Sequence, residues 1–385
     1  MNRIVYPPGG IGIIGGGQLG KMLAFEAKRM GYKVFVLDPK PDAPAGVIAD
    51  RHFCADFSDE TAVFDLAAQS AVITYEFEHI HLDTLEKLER TGHRVVPCAA
   101  TLERIQDKLI QKTVLREAGI AVPDFAFCKT FGELAEFFAK ARDGAVLKSR
   151  RGGYDGKGTF FIRTQKDLDA LQTLDLSKYY VEETIRLQCE LSVIVARGNG
   201  EEQVYPVAEN IHDEGILTES IVPAGRSDRL LINALETALA VSRAFPDDGL
   251  LCIELFADEN DRILVNELAP RAHNTGHYSI EACETSQYEQ WLRILTGMPL
   301  KKPRLKECAA MLNILGPADV CGCYRIAGLE QALKIPSTYV HLYGKSETFP
   351  RKKIGHITSL GPTTHDALKR AKKALQYLRI EPLDE

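Results

Sequence analysis

Glu254 and Glu267 lie in alternating apolar runs, 251–257 and 262–268, that flank Asp258-Glu259-Asn260-Asp261. Strand, tight turn and strand make an antiparallel hairpin. With Asp258 opposite Asp261, position 254 pairs with 265, so the two glutamates share one face as diagonal neighbours roughly 7–8 Å apart. Carboxylates that close repel unless something positive lies between them. An ion cluster with Arg262 or Arg271 would answer them. So would magnesium shared with nucleotide phosphates, a common use of such a pair. Beyond Pro270 the chain continues as Arg271-Ala272-His273-Asn274, placing a cation, an imidazole and an amide on one loop.

A nucleotide needs a cradle, and 148–159 can supply one. It reads Lys-Ser-Arg-Arg-Gly-Gly-Tyr-Asp-Gly-Lys-Gly-Thr, four cations and four glycines. Strand-like runs at 145–148 and 159–162 make it a long hairpin tip, not a strand-to-helix P-loop. Glycines let backbone amides approach phosphate closely, and the cations neutralise it. The strand 179–185 runs into Glu182-Glu183, which either accept hydrogen bonds from adenine and ribose or merely end an exposed strand. Glu190 and His212 belong to the next alternating pair, 189–196 and 203–210, and a lone histidine there reads first as structural.

A second glycine-rich segment, Gly15-Gly16-Gly17-Gln18-Leu19-Gly20, joins an apolar run at 11–14 to helical spacing over 21–30. The next strand, 33–38, ends in Asp38, about 20 residues on. That spacing argues for an NAD-dependent oxidoreductase, in which helix N-terminal amides hold phosphate. Its plainer meaning is a tight turn. Further strands at 51–54, 72–74 and 94–97 make residues 1–100 a small parallel-sheet α/β unit. Glu76 and Glu78 follow the third, where ligands bind in such sheets, or simply favour the next helix dipole. The pattern after residue 100 lacks the second half a dinucleotide site needs.

Those elements must be positioned by helices at 101–118, 227–244, 287–295 and 364–378, with short strands and one helix, 328–333, near the end. Lys345, Arg351 and Lys353 are the late cations, either solvated or an anion site shared with the N-terminal unit. The chain has 385 residues, a net charge of −6 and no long basic run, which disfavours a nucleic-acid or membrane surface. No apolar stretch approaches the roughly 20 residues that span a bilayer. Nine cysteines without a repeated CxxC read as reduced thiols, and the first residues lack a signal-peptide core. Both features point to the cytoplasm.

The order of these features resembles the ATP-grasp superfamily, in which two α+β subdomains clasp ATP. Within it the chain is similar to the N5-carboxyaminoimidazole ribonucleotide synthetase family of purine biosynthesis. The resemblance runs over nearly the whole chain. It rests on GIIGGGQLGKMLA (12–24), YEFEH (75–79), KSRRGGYDGKG (148–158), NIHDEGIL (210–217), NELAPRAHNTGH (266–277) and RKKIGH (351–356). The first motif is unspecific; the third and fifth carry the match. It implies an N-terminal Rossmann-like parallel-sheet domain (1–100), an ATP-grasp domain (101–297) and a small β-rich C-terminal domain (298–385).

The implied reaction joins ATP, bicarbonate and 5-aminoimidazole ribonucleotide into N5-carboxyaminoimidazole ribonucleotide, ADP and phosphate. Bicarbonate, a poor electrophile, is first phosphorylated to carboxyphosphate. By the same resemblance, Lys108, Lys148, Gly153, Tyr154 and Asp155 belong to the nucleotide site. So do Gly156, Lys157, Gly158 and Thr159, which continue the phosphate loop. Glu182, Glu183, Thr184 and Ile185 would hold adenine, and Glu190 the ribose. His212 and Asn266 would complete the pocket, and Glu254 and Glu267 would hold Mg2+. Arg271, His273 and Asn274 would bind bicarbonate and carboxyphosphate. Gln18, Leu19, Glu76, Tyr154 and Asp155 would touch the ribonucleotide, with Lys345, Arg351 or Lys353 near its 5′-phosphate. A homodimer whose product passes to a mutase is also implied. Two departures stand out. Lys108 replaces a frequent arginine, losing bidentate geometry. Ala269 stands where many ATP-grasp enzymes carry asparagine, leaving water to complete the metal's shell. A sister ligase that activates formate, glycinamide ribonucleotide transformylase, shares the clasp, but the 271–274 loop argues against it.

Overall fold

Four short strands, all but Arg51–Phe53 at one edge largely buried, build the first layer. Gly10–Ile14, Lys33–Leu37, Arg51–Phe53 and Val72–Tyr75 pair in parallel, in the spatial order 51–53, 33–37, 10–14, 72–75. The structure is a computed structural model describing residues 4–153 and 158–383. The expected strand at 94–97 is only a single bridge, Ile73 to Val95. Pro97 has no N–H to extend a ladder. Helix Gln18–Arg29 buries Leu19, Met22 and Leu23 in a core shared with Trp291, Leu292 and Leu295 of helix Gln287–Thr296. That shared core seats the first unit on the rest of the chain.

The single helix expected over 101–118 is two, Ala99–Gln106 and Lys108–Glu117. Asp107 breaks it by capping the second: its carboxylate accepts from the N–H groups of Leu109 and Ile110 at 3.0 and 3.4 Å. The same carboxylate holds Arg150 at 2.6 Å, tying the break to the glycine-rich segment. A small antiparallel sheet follows, ordered Phe125–Ala126, Tyr179–Glu183, Ala145–Ser149, Thr159–Ile162. Leu147, Ile162 and Val181 form its core with Leu134 of helix Phe131–Lys140. Lys148 and Glu182 come from adjacent strands of this sheet.

The large sheet is antiparallel. Its order is Ile263–Ala269, Gly249–Asp258, Leu187–Gly198, Ala208–Asp213, Ile216–Val222, Cys308–Leu315, Lys353–Gly361, Thr338–Leu342. The run 203–210, expected as one strand, is split into Glu201–Val204 and Ala208–Asp213 around Pro206, and Ile216–Val222 was not foreseen. Helix Asp228–Ala244 covers one face through Leu230, Ala234 and Val241. The last three of these come from the C-terminal region, whose other strands, Gly322–Ala327, Glu347–Thr348 and Arg379–Pro382, form a separate three-stranded sheet. Helix Thr364–Tyr377 packs Ala367, Ala371 and Ala374 against the three in the large sheet. Lys353 therefore arrives in the same sheet that carries Glu254 and Glu267.

Candidate active site

The hairpin differs from its expected register in two places that compensate. Asp258 N–H donates to Arg262 O at 3.0 Å, leaving a three-residue turn, Glu259-Asn260-Asp261, with Asp261 at φ +61°. A one-residue shift alone would turn Glu267 to the opposite face. A β-bulge at Asn266 adds a second: Leu255 faces Val265, but Glu254 faces Glu267 directly. The carboxylates are direct neighbours, closer than the diagonal arrangement expected.

Both line a cleft of about 1100 Å3 between the small sheet, the large sheet and the N-terminal unit. Burial, with Glu267 and Glu190 nearby, raises the Glu254 pKa despite the opposing pull of His212. One cation and one imidazole approach from the protein: Lys108 Nζ at 2.9 Å from Glu267 and His273 Nε2 at 3.5 Å from Glu254. Among the described residues no group of three or more His, Cys, Asp or Glu forms a metal cage. Two carboxylates with room beside them suit magnesium, which takes few protein ligands and completes its shell with phosphate and water.

Lys148 enters from the small sheet and is held at 2.7 Å by Glu182 and at 3.1 Å by Asn266 Oδ1. Glu182 is 2% exposed, and its other oxygen binds Lys112 at 2.8 Å and the Tyr180 hydroxyl at 2.9 Å. Burial alone would raise its pKa, but Lys112 and Lys148 overcome this and hold it at about 2. The Glu182 carboxylate is thus spent on lysines, and Glu183 accepts from the Asp124 amide at 3.3 Å. Both residues line the cleft together with Thr184 and Ile185. Glu190 and His212 meet there at 2.8 Å, so the histidine is not isolated. Burial would lower its pKa, but Glu190 and Glu254 raise it on balance. Gly153 and Thr159 line the cleft; Gly158 accepts from Ser149 N–H at 2.8 Å without lining it. Tyr154, Asp155, Gly156 and Lys157 lie outside the described residues.

The other end is built around Arg271, 2.9 Å from Glu78. His273 is half-buried, and desolvation plus Arg271 and Lys353 pushes its pKa well below the usual imidazole value. Asn274 borders the cleft, but its amide is matched to that of Asn313, at 3.0 and 2.6 Å in the two directions. Its side chain thereby ties the loop to the strand Cys308–Leu315. Gln18, Leu19, Glu76 and Lys353 also line the cleft; Lys345 and Arg351 do not. Lys345 donates to Lys353 O at 2.8 Å, and burial lowers its pKa to about 8. Arg351 turns to Asp213 and Glu214, at 3.0 and 3.1 Å.

The glycine turn at 15–20 is filled from within. Gly16 N–H donates to Asp38 at 2.8 Å, Gly20 N–H to Glu76 at 2.7 Å, and Gly17 N–H to the other Glu76 oxygen. The positive end of the helix already faces two carboxylates, which would repel a pyrophosphate. The NAD reading fails there. Sequence reasoning also missed Lys112, Asn313 and Gln287. Lys112 sits at a helical position among other charges, and nothing local marks it as fully buried.

A small and a large antiparallel sheet closing on a cleft, one bearing a lysine and the other paired carboxylates, define an ATP-grasp ligase. Residues 113–288 match the ATP-grasp domain, 9–106 the ribonucleotide synthetase preATP-grasp domain, and 309–370 the phosphoribosylaminoimidazole carboxylase C-terminal domain. The chain is 41% identical over 359 residues to the N5-carboxyaminoimidazole ribonucleotide synthase of Bacillus subtilis strain 168, covering 92% of each. The solved N5-carboxyaminoimidazole ribonucleotide synthetase of Thermotoga maritima superposes with a TM-score of 0.89 at 41% identity, over 97% of this chain and 100% of that one. The Aspergillus clavatus N5-carboxyaminoimidazole synthase, solved with ADP and 5-aminoimidazole ribonucleotide, gives 0.87 at 33% identity, over 96% and 98%. The chain belongs to the N5-carboxyaminoimidazole ribonucleotide synthase family.

Proposed function

We infer that the chain uses ATP and bicarbonate to carboxylate the exocyclic amine of 5-aminoimidazole ribonucleotide, releasing ADP and phosphate. The observation that carries this is the Glu254–Glu267 pair, set between Lys148 on one side and Arg271 with His273 on the other. Magnesium held by the pair would neutralise the transferring phosphoryl group. Lys148, kept in place by Glu182 and Asn266, meets the nucleotide phosphates. Catalysis of phosphoryl transfer consists mostly of such positioning and charge neutralisation.

At the far end, a bicarbonate oxygen attacks the γ-phosphorus and the bond to the β-phosphate oxygen breaks, giving carboxyphosphate. Arg271 stabilises its charge, and the neutral His273 ring, whose Nδ1 accepts from the Thr275 N–H, can donate its Nε2–H to a bicarbonate oxygen. The ribonucleotide amine then attacks the carboxyl carbon and phosphate leaves. Gln18, Leu19 and Glu76 form the ribonucleotide end, with Lys353 for its charge. Action in the cytoplasm, as a homodimer feeding a mutase, belongs to the same proposal. Among the described residues no helix is long and apolar enough to cross a membrane.

The test is ADP release with Mg-ATP and bicarbonate, with and without the ribonucleotide, following labelled bicarbonate carbon into product. Ribonucleotide-stimulated release with carbon incorporation is expected. Release indifferent to the ribonucleotide would overturn the assignment.

A further inference from the structure

We propose that Gln287 is a positioning residue for the bicarbonate step, its buried side-chain amide fixing the backbone of His273 and so placing the imidazole in the cleft. This rests on the assignment of His273 to the bicarbonate end. Gln287 opens helix Gln287–Thr296 and is 0% exposed. Its Oε1 accepts from His273 N–H at 2.9 Å, and its Nε2 donates to His273 O at 2.8 Å. One side chain thus satisfies both backbone groups of one residue, as a neighbouring strand would. A flipped amide would set NH2 against N–H and carbonyl against carbonyl, so only one orientation is compatible with the pairing.

The surroundings hold the amide itself. Ser279 Oγ accepts from Gln287 N–H at 2.9 Å and donates to Gly276 O at 2.6 Å. The Tyr288 hydroxyl and Gln287 Nε2 lie 3.0 and 3.2 Å from His277 Nδ1. Two donors there leave Nδ1 bare, so the His277 proton is on Nε2. His277 in turn packs on His356, with ring centroids 4.6 Å apart, linking the 273–277 segment to the C-terminal strands. The His273 ring is supported at Nδ1 by Thr275, with Oγ1 at 3.0 Å and N–H donating at 3.4 Å, and its Nε2 lies 3.5 Å from Glu254. Its reach over Glu254 therefore depends on where its backbone is held.

Gln287→Leu keeps the bulk and removes both bonds. Turnover at saturating substrates should fall about 10–100-fold, with KM for bicarbonate raised and KM for ATP unchanged. In Gln287→Glu a protonated carboxyl can still accept and donate, whereas the carboxylate cannot donate. Activity relative to the unmodified enzyme should therefore recover as pH is lowered. Wild-type turnover in the leucine variant would overturn the proposal, as would equal loss at the ATP and bicarbonate ends with a lowered Tm. If the leucine variant does not fold, a pH-independent ratio for the glutamate variant overturns it. His273→Gln separates the two claims: normal bicarbonate-dependent turnover there removes the role of His273 itself. An inactive His273→Gln beside a fully active Gln287→Leu removes only the role of Gln287.

Discussion

The two cationic centres of the cleft are assembled differently. Lys148 is held by groups close to it in the fold: Glu182 on the adjacent strand, which also binds Lys112, and Asn266 on the hairpin. Arg271 is held by Glu78 from the N-terminal unit, and the loop after it by Asn313 and Gln287 from later elements. The nucleotide end is thus a charge network built into a core, and the bicarbonate end is a meeting of separate parts. Damage to the first should appear mainly as lost stability. Damage to the second should appear as lost turnover in a protein that still folds.

Glu267→Gln tests the junction between them and has the largest expected effect. Removing one charge of the pair should reduce turnover on the order of 10³-fold or more while leaving Tm nearly unchanged. The fold should survive because Glu267 is partly exposed and loses only a pairing with Lys108. Near-normal ADP release would remove the metal assignment.

Glu182→Gln should instead destabilise. It leaves Lys112 buried beside Lys148 without a counter-charge, at a cost of about 3–5 kcal/mol, readable as a lower denaturant midpoint. The intact enzyme has a matching acid signature. Glu182 titrates at about 2 when folded against an ordinary 4.5, so the unfolded chain takes up its proton first. This stabilisation is complete above the ordinary value and is lost as pH falls from there towards the folded one. A Glu182→Gln variant should lose that part of the acid dependence; if its midpoint matches the parent's at neutral pH, the network is not a stability element.

Glu78→Gln addresses the assembled end. Arg271 would keep its charge but lose its orienting partner, and kcat/KM for bicarbonate should fall about 10-fold. The pair is mostly buried, so the stability cost should be about 1–3 kcal/mol, below that of Glu182→Gln. A large fall in Tm with unchanged kinetics would erase the contrast between the two ends.

These differences mark how far the sequence could be read. The shared face of the carboxylate pair, the Lys148 strand and the first four strands of the parallel N-terminal sheet follow from local alternation and turn chemistry. The hairpin kept its chemistry because two one-residue offsets restored the face, a cancellation no pattern announces. The break at Asp107 was written as an N-cap, but an amphipathic stripe running through both helices masked it. Pro206 likewise marked the split in 203–210. What remained hidden were pairings across long sequence separations: Glu182 with Lys112, Asn274 with Asn313, and the C-terminal strands with the large sheet. These depend on tertiary neighbours, which composition and spacing do not encode.

Arg351 carries the smallest expected effect and sharpens the contrast from outside the cleft. Its sequence neighbourhood suggested the 5′-phosphate, but its guanidinium meets Asp213 and Glu214, which are 65% and 77% exposed. Such surface pairs contribute only about 0.2–1 kcal/mol. Its backbone sits at φ +65°, where an L side chain is strained and glycine is not. Arg351→Gly therefore loses the pairs but relieves the backbone, whereas Arg351→Ala loses the pairs and keeps the strain. The glycine variant should be the more stable of the two by about 0.5–1 kcal/mol, and neither should change KM for the ribonucleotide. Lys353→Met, which alters a residue lining the cleft, should raise it. If both Arg351 variants raised that KM as much as Lys353→Met, Arg351 would have to turn inward when substrate binds. The assembled end would then reach further into the C-terminal strands than the pairing with Asp213 and Glu214 allows.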